Sequence, residues 1–208
     1  MIDQTTLITY LVILFGFVFI PGPAVLLTLA RASSSGTRTG VATALGIALG
    51  DLIHTFMAVI GISAIILASA FLFSLIKYLG AAYLVYLGIR AILEKVDMNN
   101  PMGGTHLTSR AAFRQAVLAE VLNPKSALFF LAFLPQFVHP ENGAVSLQLI
   151  TLGVLFVLMG LSSTLIVAVS AGKVGSFLRR NPLVLRWQGK VVGSIYCALG
   201  LRLAFQEK

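Results

Sequence analysis

The stretch FVFIPGPAVLLTLA, residues 17–30, places Pro21, Gly22 and Pro23 in the middle of an apolar run. Proline in a helix interior removes a backbone donor and clashes with the preceding turn, at a cost of about 3 kcal/mol. Glycine is a favoured N-cap, and proline is a favoured first helical residue. The stretch therefore predicts that one helix ends here and that another begins at Pro23. A plain proline kink, which is common in membrane helices, is the alternative.

The composition of the chain indicates that its solvent is lipid. Of the 208 residues, 58% are hydrophobic and 11% are charged, whereas a soluble domain carries about 25% charged residues. The net charge of +8 then bears on membrane topology rather than on nucleic-acid binding, because no basic face interleaved with aromatic residues is visible. The single cysteine, Cys197, excludes an internal disulfide and a cysteine-rich metal site.

Six apolar runs are long enough to cross a bilayer core, which takes about 20 residues. They cover residues 7–29, 41–68, 70–92, 113–138, 144–171 and 184–205. The predicted fold class is therefore an all-α membrane protein with six transmembrane helices, in a single transmembrane domain over residues 1–208. The first run could be read as a cleaved signal peptide, but Asp3 and the lack of a basic residue before the run favour a retained helix.

Basic residues predict the orientation of these spans. They are concentrated in the first, third and fifth joints: Arg31, Arg38, Lys95, Arg110, Arg114, Lys173, Arg179 and Arg180. The second and fourth joints contain no Lys or Arg, so we expect the odd joints to face the cytoplasm and both termini to lie outside. Arg202 and Lys208, near the C-terminus, are a mild exception to this rule.

The two halves of the chain share a pattern of basic, glycine and tyrosine residues. Span three contains Lys77, Gly80, Tyr83, Leu87, Gly88 and Arg90, and span six contains Lys190, Gly193, Tyr196, Leu199, Gly200 and Arg202. We interpret residues 1–93 and 113–208 as two repeats of three helices, joined by a linker over 94–112. Halves with three helices each insert with opposite orientation, as in transporters built from inverted repeats. Chance similarity between apolar helices is the alternative.

A second cap-plus-proline pair, Asn123-Pro124, lies in span four at a depth similar to that of Gly22-Pro23 in span one. Each pair would start a half-helix inside the membrane, and its free N–H groups and positive dipole end favour an anion such as a carboxylate. A plain kink is an equal alternative for the second pair. The predicted substrate-binding residues at the two breaks are Pro21, Gly22, Pro23, Asn123, Pro124 and Lys125.

Ionisable side chains at membrane depth are candidates for substrate binding and proton coupling. Asp51 lies about 15 Å into span two, where a carboxylate costs at least about 2.5–3.5 kcal/mol, so it could bind a substrate ammonium or carry a proton. His54, on the same helix face, and Glu120 are further candidates for proton coupling. The alternatives are an Asp51–Lys pair that holds helices together, packing for His54, and a pairing of Glu120 with Arg114 or Lys125 near the cytoplasmic end.

Two lysines and two tyrosines of the repeated pattern are weaker candidates. Lys77 and Lys190 have stems long enough to reach opposite membrane surfaces, which favours snorkelling over substrate contact. Tyr83 and Tyr196 could donate hydrogen bonds to a substrate, but packing is the favoured interpretation. We leave open whether these four side chains touch substrate.

Three stretches together resemble the lysine exporter (LysE) superfamily, and within it the homoserine/threonine resistance transporter (RhtB) family. They are PGPAVLLTLARASSSGTRTGVATALGIALGD (21–51), KYLGAAYLVYLGIRAI (77–92) and FRQAVLAEVLNPKSALFFLAFLPQFV (113–138). The resemblance runs from about Phe15 to the end of the chain. It implies a six-helix exporter of amino acids in a bacterial inner membrane, driven by the proton gradient and working as a small homo-oligomer.

The family's motifs carry over onto the two breaks and onto span two. The matching residues are Pro21, Gly22, Pro23, Gly50, Asp51, Asn123, Pro124 and Lys125. Ala24 stands where family members often have Asn, so the resemblance leaves the substrate preference open.

The function that we expect is proton antiport of a neutral or aliphatic amino acid of the homoserine, threonine or leucine type, with no cofactor. A zwitterion suits half-helix N-termini and Lys125 on one side and Asp51 on the other. A metal or other cation exporter of the same superfamily is the alternative, although no Cys/His cluster supports it. A membrane-embedded enzyme would need a nucleophile–base pair or an H-E-x-x-H motif, and neither is present.

Overall fold

The computed structural model describes residues 2–19, 22–68, 70–93 and 106–180, together with isolated positions between 187 and 205. This part of the chain is helical and contains no strand, as the sequence predicts. Its helices are α1 (Gln4–Phe19), α2 (Pro23–Ser35), α3 (Thr37–Ala68), α4 (Ala70–Leu93), α5 (Ser109–Val121), α6 (Pro124–Leu128) and α7 (Val145–Arg180). Between α6 and α7 the chain continues through a π-helical turn (Phe129–Phe133) and two 3₁₀ turns, Leu134–Phe137 and Pro140–Asn142.

Two stretches are long and apolar enough to cross a membrane, namely Thr37–Gly61 with 25 residues and Val145–Lys173 with 29 residues. Two bent pairs, α1 with α2 and α5 with the helical segment that ends at Phe137, pass the same test together, which gives up to four spans in the described part of the chain. Helix α4 coincides with predicted span three, whereas most of predicted span six and of the linker lies outside the described residues. The six-span inverted repeat stays a prediction.

Both predicted breaks are present. Helix α2 begins at Pro23 with Gly22 as its N-cap, and its axis is bent by 43° from that of α1. Asn123 caps α6 by accepting a hydrogen bond from the Lys125 N–H at 3.0 Å, Pro124 is the first helical residue, and the axes on either side are bent by 46°. Cap chemistry of this kind marks new helix starts rather than plain kinks. Pro21 lies outside the described residues.

Helix α3 lies at the centre of the bundle and packs along α5, α7 and α2. Small residues allow this close approach. A Cβ atom added at Gly46 would lie 2.5 Å from the Phe113 carbonyl oxygen, and one added at Gly50 would lie 2.5 Å from the Glu120 Cβ. The backbones of α3 and α5 therefore come close together, which brings the polar side chains of α5 beside Asp51.

A cluster of aromatic side chains joins α1, the π-helical turn and α7. Its buried members are Tyr10, Phe17, Phe129, Phe130, Phe133, Phe137 and Phe156. The Phe129 ring centroid lies 4.6 Å from that of Phe17 and 4.7 Å from that of Phe156. The buried Tyr10 hydroxyl donates a hydrogen bond of 2.8 Å to the Leu152 carbonyl, so its polar group is satisfied. This packing holds α1, the π-helical turn and α7 together next to the two helix breaks.

Polar side chains tie the end of α2 to the start of α5. The Arg31 guanidinium donates a hydrogen bond of 2.8 Å to the Gln115 side-chain oxygen, and the Leu107 N–H donates one of 3.0 Å to the Ser35 hydroxyl. Gly36, between α2 and α3, has a φ of 88°, a left-handed conformation that glycine adopts without strain. The turn at Gly36 folds α3 back against α2.

Two helices extend beyond the predicted spans. Helix α5 begins at Ser109, where the Thr108 hydroxyl caps it by accepting from the Ala111 N–H, so the last residues of the predicted linker, 109–112, are helical. Helix α7 continues to Arg180, whereas the apolar run ends near residue 171. Hydropathy marks where the apolar environment ends, and a helix can continue beyond that point.

Two glycines of the repeated pattern lie where α4 meets the C-terminal segment. A Cβ atom added at Gly88 would lie 2.6 Å from the carbonyl oxygen of Gly193. The Cys197 thiol points at the same crossing and donates to the Val85 carbonyl at 3.7 Å. Cys197 therefore serves packing, as its apolar surroundings indicate.

Candidate functional site

A cavity of about 50 Å³ lies where the two helix breaks meet α3 and α7. It has room for a few water molecules. The residues that line it are Phe17, Val18, Gly22, Pro23, Ala24, Val25, Ile47, Asp51, Glu120, Asn123, Lys125, Ser126, Phe156, Gly160 and Thr164. They combine charged groups, helix starts and apolar side chains in one small volume.

Two carboxyl groups face this cavity from α3 and α5. Asp51 is 3% exposed and Glu120 is 4% exposed, and the two groups are within hydrogen-bonding reach of each other when one of them carries a proton. The Asp51 Oδ1 atom is buried and accepts no hydrogen bond from the described residues. A buried acceptor without a donor is unusual in a folded protein and indicates a place for a ligand or a proton.

The Glu120 side chain is held in place from several directions. Its Oε1 atom accepts a hydrogen bond of 3.1 Å from the Asn123 amide and another from the Ser126 hydroxyl. The His54 Nε2 atom lies 2.9 Å from the Glu120 main-chain carbonyl oxygen. Asn123 thus caps α6 through one side-chain atom and contacts a carboxylate through another, which joins the second break to the end of α5.

Lys125 supplies a positive charge to the cavity from the start of α6. Its Nζ atom lies 4.1 Å from the centroid of the Phe17 ring, within the range of a cation–π contact. It also interacts electrostatically with Glu120 and Asp51. When all three groups are ionised they carry one net negative charge, and a buried site favours an additional cation that balances it.

The start of α2 supplies backbone donors to the same cavity. The first N–H groups of a helix have no acceptor within the helix, and the N-cap Gly22 has no side chain to accept from them. Ala24 and Val25, in this first turn, line the cavity. Such a helix start favours an anion, and a carboxylate is a suitable one.

Apolar side chains complete the lining. Val18, Val25, Ile47, Phe17 and Phe156 face the cavity from α1, α2, α3 and α7. They offer dispersion contacts and surround the charged groups with apolar material, which strengthens electrostatic interactions there. The arrangement is suited to a small molecule with an anionic end, a cationic end and an apolar body.

The cavity brings together most of the residues that the sequence analysis singled out. Those that line it are Gly22, Pro23, Asp51, Asn123, Lys125 and Glu120. Pro124 begins α6, and its side chain lies outside the described part of the structure. Glu120 contacts Asn123 and Ser126 and lies near Lys125, whereas Arg114 is exposed. The alternative of an Arg114 partner for Glu120 is therefore not supported.

His54 does not line the cavity. Its ring stacks on Phe130, with a centroid distance of 5.6 Å and an interplanar angle of 15°, and its Nε2 atom contacts a main-chain carbonyl. These contacts correspond to the packing alternative for His54. In the part of the chain that the structure describes, no group of three His, Cys, Asp or Glu residues could hold a metal ion.

The weaker candidates lie away from the cavity or outside the described residues. The Tyr83 ring packs 5.5 Å from that of Tyr86, and the Lys190 Nζ atom lies 4.8 Å from the centroid of Trp187. Tyr196 and the side chain of Lys77 lie outside the described residues.

Several lining residues were not found by sequence reasoning, among them Ser126, Gly160, Phe156 and Thr164. Ser126 follows Asn123 by three residues, a spacing that places both side chains on one side of a helix start. This spacing is a usable signal for Ser126. The positions on α7 depend on how α7 packs against α3, and no local motif marks them.

Comparison with known proteins identifies the family. The family model described as LysE type translocator matches residues 14–207. The chain belongs to this family. An uncharacterized membrane protein of Vibrio cholerae is 31% identical over 197 residues, covering 95% of each chain. Proteins named leucine efflux protein, from an Enterobacter strain and from Salmonella choleraesuis, are 28% and 26% identical, each covering 94% of this chain and 93% of its own length.

Membership in this translocator family, together with the apolar helices, makes the chain a multi-pass membrane transporter rather than an enzyme. The family also supports amino-acid export as the general activity. No solved structure matches the chain. The geometry of the cavity therefore has to be interpreted from its own residues.

Proposed function

We propose that the protein is a secondary-active exporter of neutral, aliphatic amino acids that exchanges its substrate for protons. The observation that carries the proposal is the buried Asp51 carboxylate, whose Oδ1 atom accepts no hydrogen bond from the described residues and which faces a cavity that also contains Lys125 and the start of α2. The names of the leucine efflux relatives support an aliphatic substrate.

Each charged group of the substrate would bind a group of opposite charge in the cavity. Its ammonium binds Asp51, because a carboxylate is the natural partner of a buried cation. Its carboxylate binds the first N–H groups of α2 and the Lys125 ammonium. An uncharged side chain then packs against Val25 and Ile47, since Glu120, the remaining charged residue that lines the cavity, already accepts hydrogen bonds from Asn123 and Ser126.

Proton coupling follows from competition at one carboxylate. The substrate is a zwitterion and brings no net charge, so the competition is local: either a proton or the substrate ammonium occupies Asp51, and not both. Binding of one therefore opposes binding of the other. Competition of this kind is the minimum requirement for antiport, because the carrier returns with a proton after it has released the substrate.

Transport would proceed by alternating access around the cavity. We propose six transmembrane helices in two inverted repeats, 1–93 and 113–208, with the broken helices of each repeat meeting at the membrane midplane. The cavity lies among buried side chains where the two breaks meet, so the proposed motion separates the two halves for the substrate to enter and leave. The proposed location is a bacterial inner membrane, with both termini outside.

The substrate and the coupling ion are tested together in proteoliposomes. Purified protein is reconstituted with an acidic lumen, and uptake of radiolabelled leucine, threonine, homoserine, lysine and glutamate is compared with uptake at equal pH. We expect accumulation of the uncharged amino acids, with leucine foremost, and only when the lumen is acidic. Accumulation of a divalent cation with no amino-acid uptake would instead support the cation-exporter alternative.

The proposed orientation is tested by labelling single cysteines in a Cys197→Ser background. Ala144 is an exposed residue at the border between the predicted outer joint and the fifth span, and His106 is an exposed residue in the predicted cytoplasmic linker. In intact cells, a membrane-impermeant thiol reagent should label Ala144→Cys, whereas His106→Cys should be labelled only after the cells are opened. The reverse pattern would contradict the orientation inferred from the basic residues.

A further inference from the structure

One contact at the cavity joins the two broken helices directly. Phe17 lies in the last turn of α1, before the first break, and Lys125 lies in the first turn of α6, after the second break. Both residues line the cavity. The Lys125 Nζ atom lies 4.1 Å from the centroid of the Phe17 ring, which is a close distance for a cation–π contact. The end of α1 therefore meets the start of α6 through an aromatic ring and a lysine.

The Phe17 ring is itself held by its neighbours. It is 4% exposed, and its centroid lies 4.6 Å from that of Phe129 and 6.0 Å from that of Phe156. A phenylalanine side chain has two torsions, and close packing of this kind restricts both. A lysine side chain has four and loses much rotamer freedom when its ammonium is fixed. The ring is therefore a rigid surface that can hold a flexible side chain in one place.

An aromatic ring differs from a carboxylate as a partner for a lysine. The ring attracts the ammonium through its quadrupole but carries no net charge. The contact with Phe17 therefore orders Lys125 without cancelling its positive charge, which can still attract a substrate carboxylate. Ordering the side chain before the substrate arrives also lowers the cost of binding, because less freedom is lost at that step.

We propose that Phe17 is a positioning residue that acts through Lys125 and sets the affinity of the site for the carboxylate end of the substrate. The inference rests on the amino-acid export proposed above. Phe17 holds the ammonium at the cavity that the first turn of α2 also lines. The alternative is that Phe17 serves only as packing in the aromatic cluster, in which case the electrostatic character of its ring has no effect on binding.

Fluorinated phenylalanine in place of Phe17 tests the electrostatic part of the contact with little change in shape. Fluorine withdraws electron density from the ring face and weakens its attraction for a cation. The full-length protein is produced with one, two or three fluorine atoms on this ring, and leucine uptake is measured in proteoliposomes. We expect the KM to rise with each fluorine, by about 5–30-fold for three, with little change in kcat. Phe17→Leu, which has no ring, should raise the KM at least as much.

Phe137 is the matched control within the aromatic cluster. It is buried, its ring centroid lies 5.1 Å from that of Tyr10, and it does not line the cavity. The same fluorinated residues in place of Phe137 should leave the KM for leucine unchanged. A rise equal to that seen with Phe17 would overturn the proposal, because it would show a general effect of fluorine on the cluster.

Melting temperatures distinguish this inference from the proposed function, because they need no transport. Three fluorine atoms on Phe17 should lower the melting temperature by about 2–4 °C, with no such loss in a Lys125→Met background, and an equal loss in both backgrounds would overturn the proposal. A constant KM along the series in an active protein also overturns it. A protein that shows the melting difference but no amino-acid transport overturns the proposed function and leaves the contact between Phe17 and Lys125 standing.

Discussion

Filling the space beside Asp51 with a single methyl group is a specific test of where the substrate ammonium binds. Gly160 lies on α7 and lines the cavity. A Cβ atom added there would lie 3.4 Å from the Asp51 Oδ2 atom, at ordinary van der Waals distance. The Gly160→Ala variant therefore fits the fold without displacing backbone, but it occupies space next to the carboxylate.

The Gly160→Ala variant should be slightly more stable than the wild type but should bind the substrate more weakly. In a helix interior, Ala is more favourable than Gly by about 0.5–1 kcal/mol, so Gly160→Ala should melt at or above the wild-type temperature. One extra methyl group in a binding pocket changes binding by about 1–3 kcal/mol, or about 10–200-fold. In a cavity of about 50 Å³ we expect the KM for leucine to rise by such a factor.

The assay is uptake of radiolabelled leucine and alanine into proteoliposomes, with the melting temperature measured on the same preparations. Gly172→Ala is the matched control, because Gly172 lies on the same helix and an added Cβ there would meet no described atom within 4 Å. It should leave the KM unchanged. Leucine and alanine should lose affinity equally in Gly160→Ala, because the added methyl lies near the ammonium that both substrates share.

Two results would refute this reasoning. An unchanged KM in a folded Gly160→Ala protein would show that the substrate does not bind beside Asp51. A loss confined to leucine would show that the space at Gly160 holds the substrate side chain, so that the ammonium must bind elsewhere.

Two further predictions concern stability. Gly50→Ala should lower the free energy of unfolding by about 1–3 kcal/mol, because the added Cβ would lie 2.5 Å from the Glu120 Cβ. The control is Gly61→Ala, whose added Cβ would meet no described atom within 4 Å. Equal melting temperatures for the two variants would contradict the tight packing of α3 on α5. The Thr6 hydroxyl and N–H lower the pKa of Asp3 below its ordinary 3.8. The resulting stabilisation is complete above pH 3.8 and is lost as the pH falls through the lowered pKa. Asp3→Ala should therefore lower the melting temperature at pH 7 but not in strong acid. An equal loss at both pH values would contradict a stabilising role for the ionised Asp3 carboxylate.

The helix breaks could be predicted from sequence because their cause is local. A proline cannot donate its backbone hydrogen bond, and the residue before it in both motifs, Gly22 or Asn123, is a good N-cap. No knowledge of the tertiary fold is needed to apply these rules. The same holds for Asp51, since a carboxylate within an apolar run is unusual wherever the run packs.

The rest of the site could not be predicted because it depends on packing between distant helices. The sequence allowed two roles for Glu120, an ion pair near the cytoplasmic end or a place in the site. Only the close approach of α3 and α5 at Gly50 brings Glu120 beside Asp51. Gly160 and Phe156 come from α7, far beyond the second break in sequence, and no pattern in an apolar helix marks which face meets the cavity.

The central claim is that Asp51 exchanges a proton for the substrate, and the most direct test is proton-driven leucine accumulation by Asp51→Asn in proteoliposomes with an acidic lumen. Asn preserves the shape and polarity of the side chain but can neither ionise nor carry a proton. We predict that the wild type accumulates leucine above its external concentration, whereas a variant of near wild-type melting temperature lets leucine at most equilibrate. Accumulation equal to the wild type by a folded Asp51→Asn protein would contradict the claim and assign coupling to Glu120.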